Sequence, residues 1–272
     1  MSLPLPSSLS PSKVSSFKDC ALAFRFSAID RLPEPPSPWA TKGTLVHRAL
    51  QLLFWDEPAG SRTLAAALAK LETAKAEMTS DPEFTGLALD DDEAATFFEE
   101  ASGLVRKYFE LEDPNEVRVL GVELKLEARV GGLLLRGIID RLELDADGEL
   151  VITDYKTGRS PRVNFELSRM AGVHFYAFLC EQVLGRRPAR IQLLHLAEPV
   201  AISLAPSEQS MRGLRNRTAA VWAAVERACA TEDFRPRVGK LCDFCAYKAY
   251  CPAFGGDLSA VPRRDVELVG VA

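Results

Sequence analysis

The stretch Gly137–Gly158, GIIDRLELDADGELVITDYKTG, decides the reading of the chain. Two apolar runs, Gly137-Ile138-Ile139 and Leu150-Val151-Ile152, each lead into an aspartate, and Asp147-Gly148 lies between them. An Asp-Gly pair between apolar runs is a hairpin signal. Counting outward from that turn, Asp140 stands seven residues before Asp147 and Asp154 six after Gly148, so the two carboxylates fall nearly opposite. They can then share one hard divalent cation such as Mg²⁺. Asp154 and Lys156 are two apart on a strand and emerge on the same face. There the lysine can orient or deprotonate an attacking water and neutralise charge on a phosphorane-like transition state, with the ion as Lewis acid. The plainer reading makes Asp140 and Asp154 surface salt-bridge partners of Arg141, Lys156 or Arg136. The apolar runs weigh against it, because they carry the charges into a partly buried region where a cation or partner is needed.

Working outward, VRVLGVELKLEARV from Val117 alternates, Gly131-Gly132 turns, and the decisive stretch follows, which predicts a three-stranded antiparallel meander. A helix over 165–184, strands in ARIQLLHLAEP and VAISLA, and a helix from about Ser207 to Thr231 come next. On the N-terminal side, 44–55 reads as a buried helix and 63–78 and 91–111 as amphipathic helices. The four prolines of RLPEPPSPWATKG, 31–43, predict a flexible link before the first of them. The fold class expected is α/β, a mixed central sheet flanked by helices with a helical N-terminal part. We read one domain over 1–272: a helical part at 12–116, a core at 117–231, a cysteine segment at 232–254 and a tail at 255–272.

The chain has 272 residues, 47% hydrophobic and 26% charged, enough for a sizeable core. No apolar run is long enough for a signal peptide or a membrane span, so a soluble cytoplasmic protein with no membrane partner is expected. The net charge of −5 excludes an indiscriminate DNA-coating protein and requires any nucleic-acid contact to be a local basic channel. No Walker motif occurs, so no ATP-driven motor is visible.

The pair GIIDRLEL and LVITDYKTG resembles the second and third motifs of the PD-(D/E)XK nucleases of the RecB, AddB and CRISPR-associated exonuclease branch. That resemblance implies a restriction-endonuclease-like core and a Mg²⁺- or Mn²⁺-dependent deoxyribonuclease, with Asp140 and Asp154 binding metal, Lys156 catalytic, and the backbone carbonyl of Tyr155 joining the metal shell. Gly43–Leu50, GTLVHRAL, resembles the family's GxxxHxxL helix, which makes His47 a further metal ligand. A core histidine is the structural alternative. Glu123 stands where related nucleases carry an upstream acid. The family's glutamine four residues before a tyrosine is absent: Tyr176 fits the tyrosine, but Gly172 stands at the earlier place, with His174 as a substitute. His195, within a strand, reads as structural.

Cys242, Cys245 and Cys251 form C-x₂-C-x₅-C, and Cys20 supplies a fourth thiolate. Four thiolates suit either Zn²⁺ or a [4Fe–4S] cluster. One cysteine before the core and three after it resembles the iron–sulfur staple of the AddB and CRISPR-associated exonucleases, which favours the cluster. Cys180 and Cys229, among Ala, Leu and Val, read as buried packing. Candidate contacts to DNA, expected single-stranded, are Phe24, Arg25, Arg159, Arg162 and Tyr176. A helicase or another repair protein is a candidate partner. The rival readings are a catalytically silent nucleic-acid-binding subunit and a zinc-stapled structural protein.

Overall fold

The computed structural model describes residues 2–158 and 163–262, with side chains inside the helix that begins at Val163 described from Gly172 onward. Arg159 and Arg162, expected to touch DNA, lie outside the described residues. The chain divides into two compact units, one of Pro36–Leu214 and one made of Met1–Pro35 with Arg215–Ala272. No helix among the described residues is long and apolar enough to cross a membrane.

The larger unit holds the sheet. Helix α3 (Pro38–Asp56) begins six residues before the sequence reading placed it. The proline-rich stretch is therefore shorter as a link than expected: Pro38 sits in the first turn, where its fixed φ suits a helix and its missing N–H costs nothing. Helix α4 (Leu64–Met78) is capped by Thr63, whose side chain accepts from the Ala66 N–H. A short helix α5 (Pro82–Thr85) precedes α6 (Asp91–Tyr108), which opens with a reciprocal capping box between Asp90 and Glu93.

The meander follows as read: β1 (Arg118–Val130), β2 (Leu133–Leu144) and β3 (Leu150–Lys156) are antiparallel neighbours. Helix α7 (Val163–Leu184) crosses over to β4 (Arg190–His195), which pairs parallel with β3, and β5 (Val200–Leu204) pairs antiparallel at the edge. The sheet order is β1-β2-β3-β4-β5. β3 is thus central and buried from Leu150 to Tyr155, as a strand covered on both faces must be. One core joins Leu45, Ala49 and Leu53 of α3 and Phe97 and Val105 of α6 to Val122, Tyr155 and Leu194 of the sheet.

Behind Tyr155 lies a buried polar network that the sequence did not announce. Arg141, fully buried, pairs with Glu112 and Glu143, donates to the Tyr155 hydroxyl at 3.0 Å and lies 4.7 Å over the Phe54 ring. The plainer reading of Arg141 as a surface partner for Asp140 is therefore corrected, and Arg136 pairs instead with Glu127.

The smaller unit contains α1 (Pro11–Asp19), α2 (Ala21–Phe24) running into a π-helical turn, and the residues from Arg215 onward of α8 (Glu208–Thr231). Its core gathers Leu22, Phe24, Phe26, Val225, Phe234 and Tyr247. Phe24 is wholly buried, its ring edge-on to Phe17 at 5.2 Å. It holds this core together and has no face left for a base, which corrects its expected stacking role. Arg25 is tied to Asp30 at 3.0 Å, so its guanidinium serves the π-helical turn. Cys180, in the larger unit, and Cys229, in the smaller, are buried as expected.

Candidate active site

Register places the acids. β1 pairs with β2 through Val122↔Arg141 and Leu124↔Ile139, which sets Glu123 across from Asp140. β2 pairs with β3 through Arg141↔Thr153, and the next step outward sets Asp140 across from Asp154. The three carboxyl residues therefore stand in a row across three adjacent strands. Glu123 adopts a left-handed backbone, φ 46°, within β1, a conformation that costs a non-glycine residue of the order of 1 kcal/mol. The Asp140 carboxylate is anchored by the Tyr155 N–H, which donates to it at 2.7 Å.

Helix α3 brings the histidine. His47 Nδ1 lies 3.4 Å from Asp140 and 3.9 Å from Glu123. Each of His47, Glu123 and Asp140 offers one ligand atom, and all three atoms lie within 4.8 Å of one another, the one such group among the described residues. The Asp154 carboxylate is buried and ion-paired with Lys156. Burial, opposed by Lys156 and reinforced by Asp140, pushes its pKa up to about 6. Burial followed by the Asp140 charge likewise raises Glu123. For His47 burial lowers the pKa, but the hydrogen bond to Asp140 and the charges of Asp140, Asp154 and Glu123 outweigh it and the net shift is upward. Acids held up and a base held up in one place are the mark of negative charges crowded without a counter-ion. A divalent cation fits the set that converges, carboxylate oxygens from Glu123 and Asp140 and one imidazole nitrogen from His47, with the Asp154 carboxylate beside Asp140 but outside that group.

Two glycines allow the helices to approach. A Cβ at Gly43 would come 3.0 Å from the Thr157 hydroxyl oxygen, so the helix carrying His47 packs tightly on the end of DYKT. A Cβ at Gly137 would come 2.8 Å from Leu179 and 3.0 Å from the Tyr176 ring. That contact explains the glycine ahead of Asp140, and it places Tyr176 near the acids. Burial and then the charges of Asp154, Asp140 and Glu123 hold its hydroxyl protonated. Gly137→Ala is expected to cost about 1–3 kcal/mol by displacing α7. Thermal denaturation checks this, and an unchanged melting temperature would contradict the contact.

The site opens into a cavity of about 740 Å³. Trp39, Gly43, His47 and Gln51, four residues apart along α3, line one side, and Glu123, Lys125 and Lys156 another. Trp39, Gln51 and Lys125 escaped the sequence reading. The signal for the first two was their spacing of four and eight residues from His47, which on a helix means a shared stripe.

In the smaller unit, Cys20, Cys242, Cys245 and Cys251 line one cavity with Leu22 and Phe26. The Arg237 N–H donates to the Cys20 sulfur and the Gly239 N–H to that of Cys242, each at 3.4 Å. The cysteines form no set of three drawn within 4.8 Å, the separation seen for His47, Glu123 and Asp140.

Residues 8–252 match the family model of the PD-(D/E)XK nuclease superfamily. The chain belongs to that superfamily. PD-(D/E)XK nucleases use divalent metals. The Gene 69 protein of Mycobacterium phage D29 is 27% identical over 176 residues, 58% of this chain and 65% of the phage protein, so the chain spans just under two thirds of that relative. A solved structure from Eubacterium rectale, named as a candidate exonuclease, matches with a TM-score of 0.57 over 88% of this chain and 87% of its own at 13% identity. At that identity the likeness shows the PD-(D/E)XK fold alone.

Proposed function

We propose that this PD-(D/E)XK nuclease is a Mg²⁺- or Mn²⁺-dependent deoxyribonuclease that removes nucleotides from an end of single-stranded DNA, in repair or recombination, with a helicase as candidate partner on duplex substrates. The observation that carries the reading is the row Glu123, Asp140, Asp154 with His47 at one side and Lys156 at the other. His47, Asp140, Asp154 and the Tyr155 carbonyl would hold the ion, with Glu123 beside them. Bound there, the ion supplies Lewis acidity at the scissile phosphate. Lys156, more exposed than the carboxylate it pairs with, can turn its ammonium to the phosphoryl oxygens and hold the attacking water. Asp140, fixed by the Tyr155 N–H, keeps its orientation throughout. The end-directed mode leans on the name of the Eubacterium rectale protein.

For the four cysteines we propose a [4Fe–4S] cluster in preference to zinc. The shared cavity and the two N–H donors to sulfur support a thiolate site. The order of the four along the chain, one before the core and three after it, resembles an iron–sulfur staple and favours the cluster over one tetrahedral ion. The anaerobically purified protein is expected to be brown, absorbing near roughly 400 nm, and Cys242→Ser to bleach it. A colourless protein with one zinc per chain would reverse the assignment.

The deciding experiment incubates end-labelled single- and double-stranded DNA with Mn²⁺ or Mg²⁺. Progressive shortening from one labelled end of the single strand is expected, dependent on metal and lost in Asp154→Asn. A metal-replete protein that binds DNA and leaves it whole would instead support a silent binding subunit.

A further inference from the structure

Trp39 is 77% exposed, a large apolar surface to leave in water. It is nonetheless fixed. The Lys42 ammonium lies 5.0 Å from the ring centroid and 5.5 Å from that of Phe97, and Lys42 is itself buried and ion-paired with Glu100. One face of the indole thus rests on a held cation while the rest of the ring stands open. Its place adds a second observation. Trp39 lines the cavity that contains His47, Glu123 and Lys156, two α3 turns from His47 and so about 12 Å along the helix. Lys125, in the same cavity, is exposed and forms no ion pair among the described residues. An open π face in one cavity with the unpaired Lys125, continuous with a phosphodiester-cutting site, matches an unpaired base on a negatively charged backbone.

We propose that Trp39 is the stacking platform for a base of single-stranded DNA, a substrate-positioning residue roughly two to four nucleotides from the bond cut at the carboxylate row. The proposal rests on the nuclease reading above and names how its substrate is held. Duplex DNA is a poorer fit, because its bases are already stacked on each other. The other strongly exposed tryptophan of α3, Trp55, does not line the cavity and serves as an internal control.

The test is titration of the full chain with an oligothymidylate in Ca²⁺, read by intrinsic fluorescence of the three tryptophans and by an independent binding assay. Trp39→Ala is expected to weaken binding about 10-fold or more and Trp39→Phe about 3-fold or less, since the aromatic face is kept. Trp39→Phe should lose most of the fluorescence quench and Trp55→Phe should retain it. Unchanged affinity in Trp39→Ala, a quench carried by Trp55, or equal weakening for blunt duplex of the same length would each overturn the proposal. Mn²⁺-dependent hydrolysis of bis(p-nitrophenyl) phosphate by the wild type is measured in parallel. Its absence beside intact Trp39-dependent binding overturns the nuclease reading and leaves the platform standing. Its presence beside Trp39-independent binding does the reverse.

Discussion

At pH 8, Asp154→Asn is expected to melt at a higher temperature than the wild type in metal-free buffer, and to cut DNA about 10³-fold more slowly than the wild type when Mn²⁺ is supplied. Both effects come from one buried carboxyl. Its pKa is raised from an ordinary 3.8 to about 6, chiefly by burial. A carboxyl raised on folding contributes stability that is fully present below 3.8 and lost as pH rises through 6. At pH 8 the wild type therefore carries the cost of an ionised, desolvated group that asparagine does not impose. The gain expected is of the order of 1–3 kcal/mol, roughly 3–10 °C. The two proteins should converge near pH 4. Mn²⁺ should stabilise the wild type and release protons on binding, and should do less for the variant. Thermal scans at both pH values, with chelator and with Mn²⁺, check this. A variant less stable than wild type at pH 8 without metal would sink it.

The fold is expected to suffer most from Arg141→Ala. The guanidinium pairs with both Glu112 and Glu143, and Glu143 is itself buried. Removing one partner of a buried ion pair costs about 3–5 kcal/mol because the other charge is left desolvated. Glu143 already has its pKa raised by burial against the pull of Arg141, and without that pull it rises further. The same sign then applies: the deficit should be largest above the raised pKa and shrink as acid neutralises Glu143. Urea denaturation at pH 8 and pH 5 reads the difference. The double variant Arg141→Met with Glu143→Gln should recover about half the loss or more, since the more deeply buried of the two carboxylates then needs no counter-charge and only the part-exposed Glu112 stays ionised. No recovery would mean that the guanidinium hydrogen bonds to Tyr155 and Thr153 matter more than its charge.

The fold class and the juxtaposition of the acids were legible in the chain; the packing between distant segments was not. Asp140, Asp154 and Lys156 were legible because strand periodicity and one Asp-Gly turn fix both their faces and their register within 22 residues. His47 and Glu123 came through motif resemblance, since nothing local ties them to residues so distant in the chain. The Arg141 network was hidden for the same reason: Glu112 is a neighbour only after β2 is laid down. Phe24 was misread because an aromatic beside an arginine has the same local pattern whether it faces solvent or the core. Trp39 was missed because its prolines were read as a link, although proline in the first turn starts helices as well as ending them. The division into two units was invisible, because half of the smaller one lies at either end of the sequence.

That division has a consequence during synthesis. The larger unit is a contiguous insertion and can fold as soon as its residues have left the ribosome. The smaller unit is split, so Cys20 is made 222 residues before Cys242. At roughly 5–20 residues per second its thiol waits for about 10–45 s without its partners. Over that interval the Cys20 thiol is expected to be open to oxidants, and a site built from all four cysteines could assemble only after Cys251 has been made.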